Sequence, residues 1–211
     1  MLVNPLGRIT LILEIDPRRP NPRKIAKIAQ ALRDGEVIIY PTDTCYGMGA
    51  DIFNKKALER IYQIKGIPKN RPFSFVCSDL SDISKYARVT DFAYRILKRY
   101  LPGPYTFILE GSRQVPKMML TKRKTAGIRI PDHPVCMEIV RMLGNPIIST
   151  TASVGDKTFS DPREMAKRFG KQIAIIADCG IIVPEPSSVI SLVNDEPKVL
   201  RVGKGNCEDF E

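Results

Sequence analysis

The amino-acid sequence predicts an α/β fold of the α+β type: a twisted, open, mixed sheet flanked by helices. Two observations carry that expectation. Segments whose apolar residues recur at helical spacing alternate with short continuous apolar runs for most of the length, and further strand-like runs gather near the end. Glycine and proline punctuate the boundaries, as at Gly35, Gly66 and Pro102-Gly103-Pro104. A chain of 211 residues buries roughly 70–75% of its unfolded surface, so its core needs no disulfide or metal staple. With no internal repeat, low-complexity tract or linker, residues 1–211 are expected to form a single domain.

The first expected helix spans residues 22–34. Asn21 caps it, Pro22 suits its first position, and Ile25, Ile28, Ala29 and Leu32 share one face before Gly35 ends it. EVIIYP (36–41) follows as a buried strand. Asn54 caps the next helix, which shows Leu58, Ile61 and Ile64 on one face and stops at Gly66. PFSFVCS (72–78) is the next strand. A third helix spans 90–101, with Ala93, Ile96, Leu97 and Tyr100 at helical spacing, and PGPYTFIL breaks it and opens a strand. AGIRIP (126–131) is a short strand, PVCMEIVRMLG a helix, and PIISTTAS (146–153) a strand ending in hydroxyls. DPREMAKRFG opens with a capping box from Asp161 to Glu164, with Pro162 in the first turn. QIAIIADCG, SSVISLV and KVLRVG supply three last strands.

Composition narrows the function classes. Fractions of 43% hydrophobic and 27% charged residues are those of an ordinary soluble protein. No apolar run approaches the roughly 20 residues needed to span a bilayer. Asn4, Pro5, Gly7 and Arg8 interrupt the opening segment, which makes it a poor signal peptide. A cytoplasmic protein without a membrane partner is expected. Cys45, Cys77, Cys136, Cys179 and Cys207 are odd in number and form no C-x-x-C pair. Cys45 and Cys77 sit in apolar strand contexts, where a thiol behaves as a small hydrophobe. His133 is the only histidine, which argues against a Cys/His zinc site and against Ser-His-Asp or Cys-His catalysis, leaving at most a lone base. The net charge of +10 favours polyanionic partners such as nucleic acid or nucleotide phosphates. Basic residues cluster in the opening stretch, at 18–27 and at 121–129, which favours a phosphate-binding surface over an evenly solvated one.

Neither a G-x-x-x-x-G-K-[ST] loop nor a G-x-G-x-x-G fingerprint is present, so a nucleotide site needs another device. In YPTDTCYGMGAD (40–51), Thr42, Asp43 and Thr44 precede two glycines that let backbone approach a ligand closely. Taken alone, the segment is an ordinary strand-to-loop turn. Ser149, Thr150, Thr151 and Ser153 either donate to a carboxylate or phosphate or satisfy their own backbone. Arg129, amid an apolar strand, needs an anionic partner if buried, whether ligand or protein carboxylate. Thr106 lies just inside the strand of PGPYTFIL, and Lys65, Lys69 and Arg71 crowd into seven residues. Together they point to a basic, hydroxyl-rich cavity at the strand ends.

YPTDTCYGMGAD, KGIP (65–68), PGPYTFIL, GIRIPDHP, STTAS and PSSVISL resemble motifs of the YrdC/YciO family and come in its order, over a core of residues 20–203. RPFSFVCSDLSDISKYA and KRKTAGIRIP are more similar to the YciO branch than to the catalytic one. The resemblance implies an open sheet flanked by helices, with a large positively charged concave cavity. It also implies the activity of the family's best-understood members, a nucleotidyltransferase-type L-threonylcarbamoyladenylate synthase. That enzyme uses L-threonine, bicarbonate and ATP, releases pyrophosphate, and serves tRNA threonylcarbamoyladenosine modification. Mg-ATP would enter as substrate, with no protein-bound metal or prosthetic group, and tRNA or double-stranded RNA would be a partner. Such a reaction asks the protein to align two anions and spread charge on phosphates, work suited to Lys, Arg and hydroxyls.

By the same resemblance, Lys65 and Arg129 are the catalytic candidates, Lys65 facing phosphate. Thr42, Tyr46 and Thr106 lie by the threonine pocket. Ser149, Thr151 and Ser153 fall on the turn touching carboxylate and nucleotide, and Ser187 and Arg201 line the cavity. The departures are specific. The catalytic branch carries Lys-x-Arg followed by Pro, then Ser-x-Asn. Here Ile67 replaces the arginine, Thr151-Ala152-Ser153 lacks both the serine and the asparagine, and Ser191 stands where an aspartate is common. Lysine does not fully replace a lost bidentate phosphate clamp. Arg71, in a second Lys-x-Arg-Pro at 69–72, is expected to replace it in part. Three functions stay open: the synthase, a YciO-type paralogue binding double-stranded RNA or tRNA without efficient synthase activity, and an enzyme acting on another carbamate or adenylate.

Overall fold

In the computed structural model, which describes residues 10–69, 71–119 and 124–210, β1 (Leu11–Glu14) leads to α1 (Pro22–Arg33). The Asn21 side chain accepts from the amides of Arg23 and Lys24, starting α1 where the sequence places it. Next come β2 (Ile38–Tyr40), β3 (Gly47–Gly49) and α2 (Lys55–Lys65), whose cap Gly66 is left-handed at φ 62°. Then follow β4 (Ser74–Val76), α3 (Leu80–Tyr86), α4 (Asp91–Tyr100), β5 (Tyr105–Glu110) and β6 (Thr125–Arg129). The chain continues through α5 (Pro134–Leu143), β7 (Ile147–Thr151), β8 (Ser153–Val154), β9 (Lys157–Thr158) and α6 (Pro162–Phe169). It closes with β10 (Ile175–Asp178), β11 (Ser188–Ser191) and β12 (Lys198–Arg201).

Several elements depart from expectation. The strands β1 and β3, the β8–β9 hairpin and α3 have no counterpart in the pattern above. At β3 the two glycines do approach something closely, but it is the protein itself. A Cβ on Gly47 would sit 2.9 Å from the Tyr40 ring, and one on Gly49 would sit 2.7 Å from both that ring and the Ile148 carbonyl oxygen. The capping box of α6 gives way to a simple N-cap. Asp161 accepts from the Arg163 amide, while the Glu164 carboxylate pairs with Lys157 at 3.7 Å. Cys45 is buried in the β2–β3 turn rather than in a strand. Of the basic clusters, the opening nine residues and residues 121–123 lie outside the described residues.

Ten strands form a mixed sheet in the order β1-β10-β2-β3-β7-β4-β6-β5-β11-β12. Strand alternation sends neighbouring residues to opposite faces. On one face Ile38, Val76, Ile147 and Ile175 pack with Ile25, Ile28 and Leu32 of α1 and Val135, Ile139 and Val140 of α5. On the other, Ile39, Phe75, Phe107, Ile128, Ile148 and Ile190 join residues of α2, α3, α4 and α6 in a larger core. Helices α1 and α5 cover only part of the first face. The rest is where the cavity sits.

Candidate functional site

Across the uncovered part, successive strands present mostly small, hydroxyl-bearing or cationic residues, with two aliphatic ones, at the positions where the covered part is apolar. These are Ser149 and Thr151 of β7, Ser74 of β4, Gly127 and Arg129 of β6, Thr106 and Ile108 of β5, Val189 of β11 with the preceding Ser187, and Arg201 of β12. They line a cavity of about 260 Å³, and none comes from a helix. The expected site at the strand ends is therefore a site on the sheet face, because helical cover runs out there. Gly127 keeps the floor low: a Cβ would lie 3.2 Å from atoms of Ser74, Thr106 and Ile108.

Arg129 dominates the electrostatics. Only 6% of it is exposed. Its Nη2 donates to Asp43 Oδ1 at 2.9 Å and to Thr44 Oγ1 at 3.0 Å, so the anionic partner of this buried arginine is a protein carboxylate. Its Nε–H is buried with no acceptor among the described residues. Such an orphaned donor is costly unless a ligand satisfies it. Arg201 donates through Nε and Nη2 to the Ser187 carbonyl at 3.0 and 2.7 Å, and through Nη2 to Ser187 Oγ at 3.2 Å. Ser187 Oγ in turn lies 2.9 Å from Thr106 Oγ1. Burial, and then the charge of Arg129, hold the Arg201 guanidinium below its ordinary pKa.

The remaining expected residues sit at the margin or behind it. Lys65 does not line the cavity. Its ammonium donates to Thr151 O at 2.7 Å, Ser153 O at 3.1 Å and Ser153 Oγ at 3.0 Å, fastening the turn after β7 to the end of α2. Burial, with Arg71 adding to it, pushes the Lys65 pKa down to about 8. Arg71 is exposed beside the lining residue Pro72, and its carbonyl accepts from Tyr62 Oη at 2.8 Å. Ile67 packs against the larger core, so the position expected to carry an arginine serves packing instead. Thr42 is buried and satisfies its own turn, donating to Cys45 O at 2.6 Å. Tyr46 Oη donates to Gly180 O at 2.7 Å and accepts from the Cys179 amide at 3.0 Å, and burial raises its pKa. Neither Thr42 nor Tyr46 reaches the cavity lining. His133 lines a separate cavity of about 450 Å³.

Sequence reasoning did not assign Asp43, Ser74 or Gly127 to the site. The alternation was available: Ser74 falls between Phe73 and Phe75, and Gly127 between Ala126 and Ile128, each breaking an apolar run on one face only. Asp43 carried no comparable signal, since its partner is 86 residues away.

Fold and cavity together define an open-sheet α/β protein with a cationic, hydroxyl-lined pocket on its uncovered face. A family model for the Sua5/YciO/YrdC domain, described as telomere recombination, matches residues 30–203. The chain belongs to that family. It is 40% identical over 199 residues to YciO of Escherichia coli K12, an uncharacterized protein, covering 93% of this chain and 97% of that one. The crystal structure of E. coli YciO superimposes with a TM-score of 0.91 at 38% identity, covering 96% of this chain and all of that one. Threonylcarbamoyl-AMP synthase of Bacillus subtilis is 33% identical over 204 residues, 93% of this chain and 58% of that protein. Pyrococcus abyssi Sua5 complexed with L-threonine matches with a TM-score of 0.88 at 28% identity, covering 95% of this chain and 59% of that one.

Proposed function

We propose that the chain binds an adenine nucleotide and a small amino acid in this cavity and acts as an L-threonylcarbamoyladenylate synthase, joining L-threonine, bicarbonate and ATP. The observation that carries this is the buried Arg129, with one N–H lacking an acceptor, set among the hydroxyls of Ser149, Thr151, Thr106 and Ser187. Hydroxyls and guanidinium donors aimed at one space suit a carboxylate and a phosphate held side by side. In the reaction the carbamate oxygen formed on threonine attacks the α-phosphorus of ATP and pyrophosphate leaves. The protein aligns the two anions and stabilises the spreading negative charge. Mg²⁺ arrives with ATP. Support also comes from the Sua5 relative complexed with L-threonine.

A second function has a specific observation behind it. Ile67 is committed to the core, and Lys65 is committed to carbonyls of the turn after β7. Both reduce the positive charge available to a triphosphate. This favours a YciO-type paralogue that binds tRNA or double-stranded RNA in the cytoplasm without efficient synthase turnover. The exposed Arg18, Arg19, Arg23 and Lys27 around the start of α1 offer a basic surface for it.

The two are separated by incubating the protein with ATP, bicarbonate and Mg²⁺, with and without L-threonine, and measuring pyrophosphate and the adenylate. Threonine-dependent pyrophosphate release is expected. Its absence at high enzyme concentration, with RNA binding that weakens as salt rises, establishes the paralogue instead.

A further inference from the structure

Arg129 and Arg201 line one cavity, so two like charges share a small space. A guanidinium buried as deeply as Arg129 is strongly destabilising without a counter-charge. We infer that Asp43 is the positioning residue of this cavity: it holds the Arg129 guanidinium by Nη2, so that Nη1 and the buried Nε–H are the donors left for an anionic ligand. The inference rests on the anion-binding function proposed above, and its ligand chemistry is a carboxylate or phosphate oxygen.

Asp43 is itself held from three directions. Oδ1 accepts from Arg129 Nη2 at 2.9 Å, and Oδ2 accepts from the Asp132 amide at 3.1 Å. The Asp43 backbone carbonyl accepts from the Lys204 ammonium. Around it the β2–β3 turn is locked by Thr42, whose Oγ1 accepts from the amides of Thr44 and Cys45, both at 3.2 Å. The carboxylate therefore cannot swing away with a moving guanidinium. Nη2 carries two hydrogens, and Asp43 and Thr44 take both. A ligand cannot recruit that nitrogen and meets the Nη1 hydrogens and Nε–H instead, the last of which is buried with no acceptor among the described residues. Asp43 does not line the cavity and acts only through Arg129. Its negative charge also offsets one of the two arginines, so both can share one pocket.

The test uses the full chain, labelled with ¹⁵N, and the variants Asp43→Asn, Asp43→Glu, Arg129→Lys and Asp43→Asn/Arg129→Lys. The Arg129 Nε–H resonance is identified by its absence in Arg129→Lys. In the wild type it is expected to exchange slowly with solvent, and in Asp43→Asn to merge with the exposed arginines. Calorimetric titration with ATP and, separately, with L-threonine identifies which anion Arg129 meets. Asp43→Asn is expected to weaken that ligand by about tenfold or more, and to add nothing to the loss in Arg129→Lys. Additive losses in the double variant overturn the inference, as does an Asp43→Asn protein with unchanged exchange and affinity. Should the asparagine variant not fold, Asp43→Glu keeps the charge but displaces the guanidinium. It is expected to weaken the same ligand, and unchanged affinity there overturns the inference too. A wild type that binds neither ATP nor L-threonine, with slow Nε–H exchange lost in Asp43→Asn, leaves the positioning role standing and removes the proposed function.

Discussion

Two halves of one sheet face behave differently although two strands, β4 and β7, run through both. In β7, Ile147 and Ser149 are two residues apart and point the same way. Ile147 is sealed beneath α1 and α5, while Ser149 opens into the cavity. In β4 the same pairing recurs with Val76 and Ser74. Where helices cover the sheet, alternating positions are aliphatic. Where cover ends, most become serine, threonine, glycine and arginine, with Ile108 and Val189 the aliphatic exceptions. The site is thus a continuation of the core's geometry with its chemistry exchanged, and stability and binding can be perturbed on one strand separately.

The largest expected effect tests whether the uncovered half also carries stability. Arg129→Met leaves Asp43 buried without its counter-charge and is expected to cost about 3–5 kcal/mol, read from the urea midpoint. A variant as stable as the wild type would break the claim that the Asp43–Arg129 pair, with both side chains under a tenth exposed, is a structural element of the bare half. Next, Ile28→Ala removes a fully buried side chain between α1 and the sheet. A loss of about 2–5 kcal/mol is expected, with ligand affinity per folded molecule unchanged. A parallel loss of affinity would show that the halves are coupled.

Removing the α1 cap by Asn21→Ala, which deletes the acceptor for the Arg23 amide at 2.9 Å, is expected to cost about 1 kcal/mol by thermal melting. Cavity binding should not change. Finally, Lys65 introduces a pH dependence confined to the cavity margin. Its folded pKa of about 8 lies below its ordinary 10.5. The ammonium is therefore present below about 8 and lost above it, so affinity for an anionic ligand should fall several-fold as pH rises past 8. For folding the sign is opposite: between 8 and 10.5 the unfolded chain holds the proton more, so this group's contribution to stability improves with pH. Lys65→Met should flatten the affinity profile, and an unchanged profile would place the titration elsewhere.

Much of the fold was legible because its cues are local. Asn21, Asn54, Gly35 and Gly66 mark helix ends through hydrogen bonds and backbone angles that involve near neighbours. β1 and β3 were not legible, since a strand of four residues pairing with β10, or two glycines flanking Met48, has no pattern of its own. α3 escaped for a similar reason: it is seven residues long and set by one Asp79 cap on the Asp82 amide. Within the site, Thr106, Arg129, Ser149, Thr151, Ser187 and Arg201 are brought together, whereas Thr42, Tyr46 and Lys65 are spent on backbone partners nearby.

By itself the sequence determined the alternation of helices and strands, the family, and the residue types able to receive an anion. The first and last depend on spacing, capping and composition, and the family on the resemblance of six ordered motifs, all of them properties of short stretches of chain. Only the tertiary structure decided which hydroxyls and cations share a cavity, that Ile67 is core, and that Asp43 reaches Arg129. Those depend on how far two helices extend across a ten-stranded sheet, and long-range packing of that kind leaves at most a broken apolar alternation, as at Ser74 and Gly127, and no mark of which residues it joins.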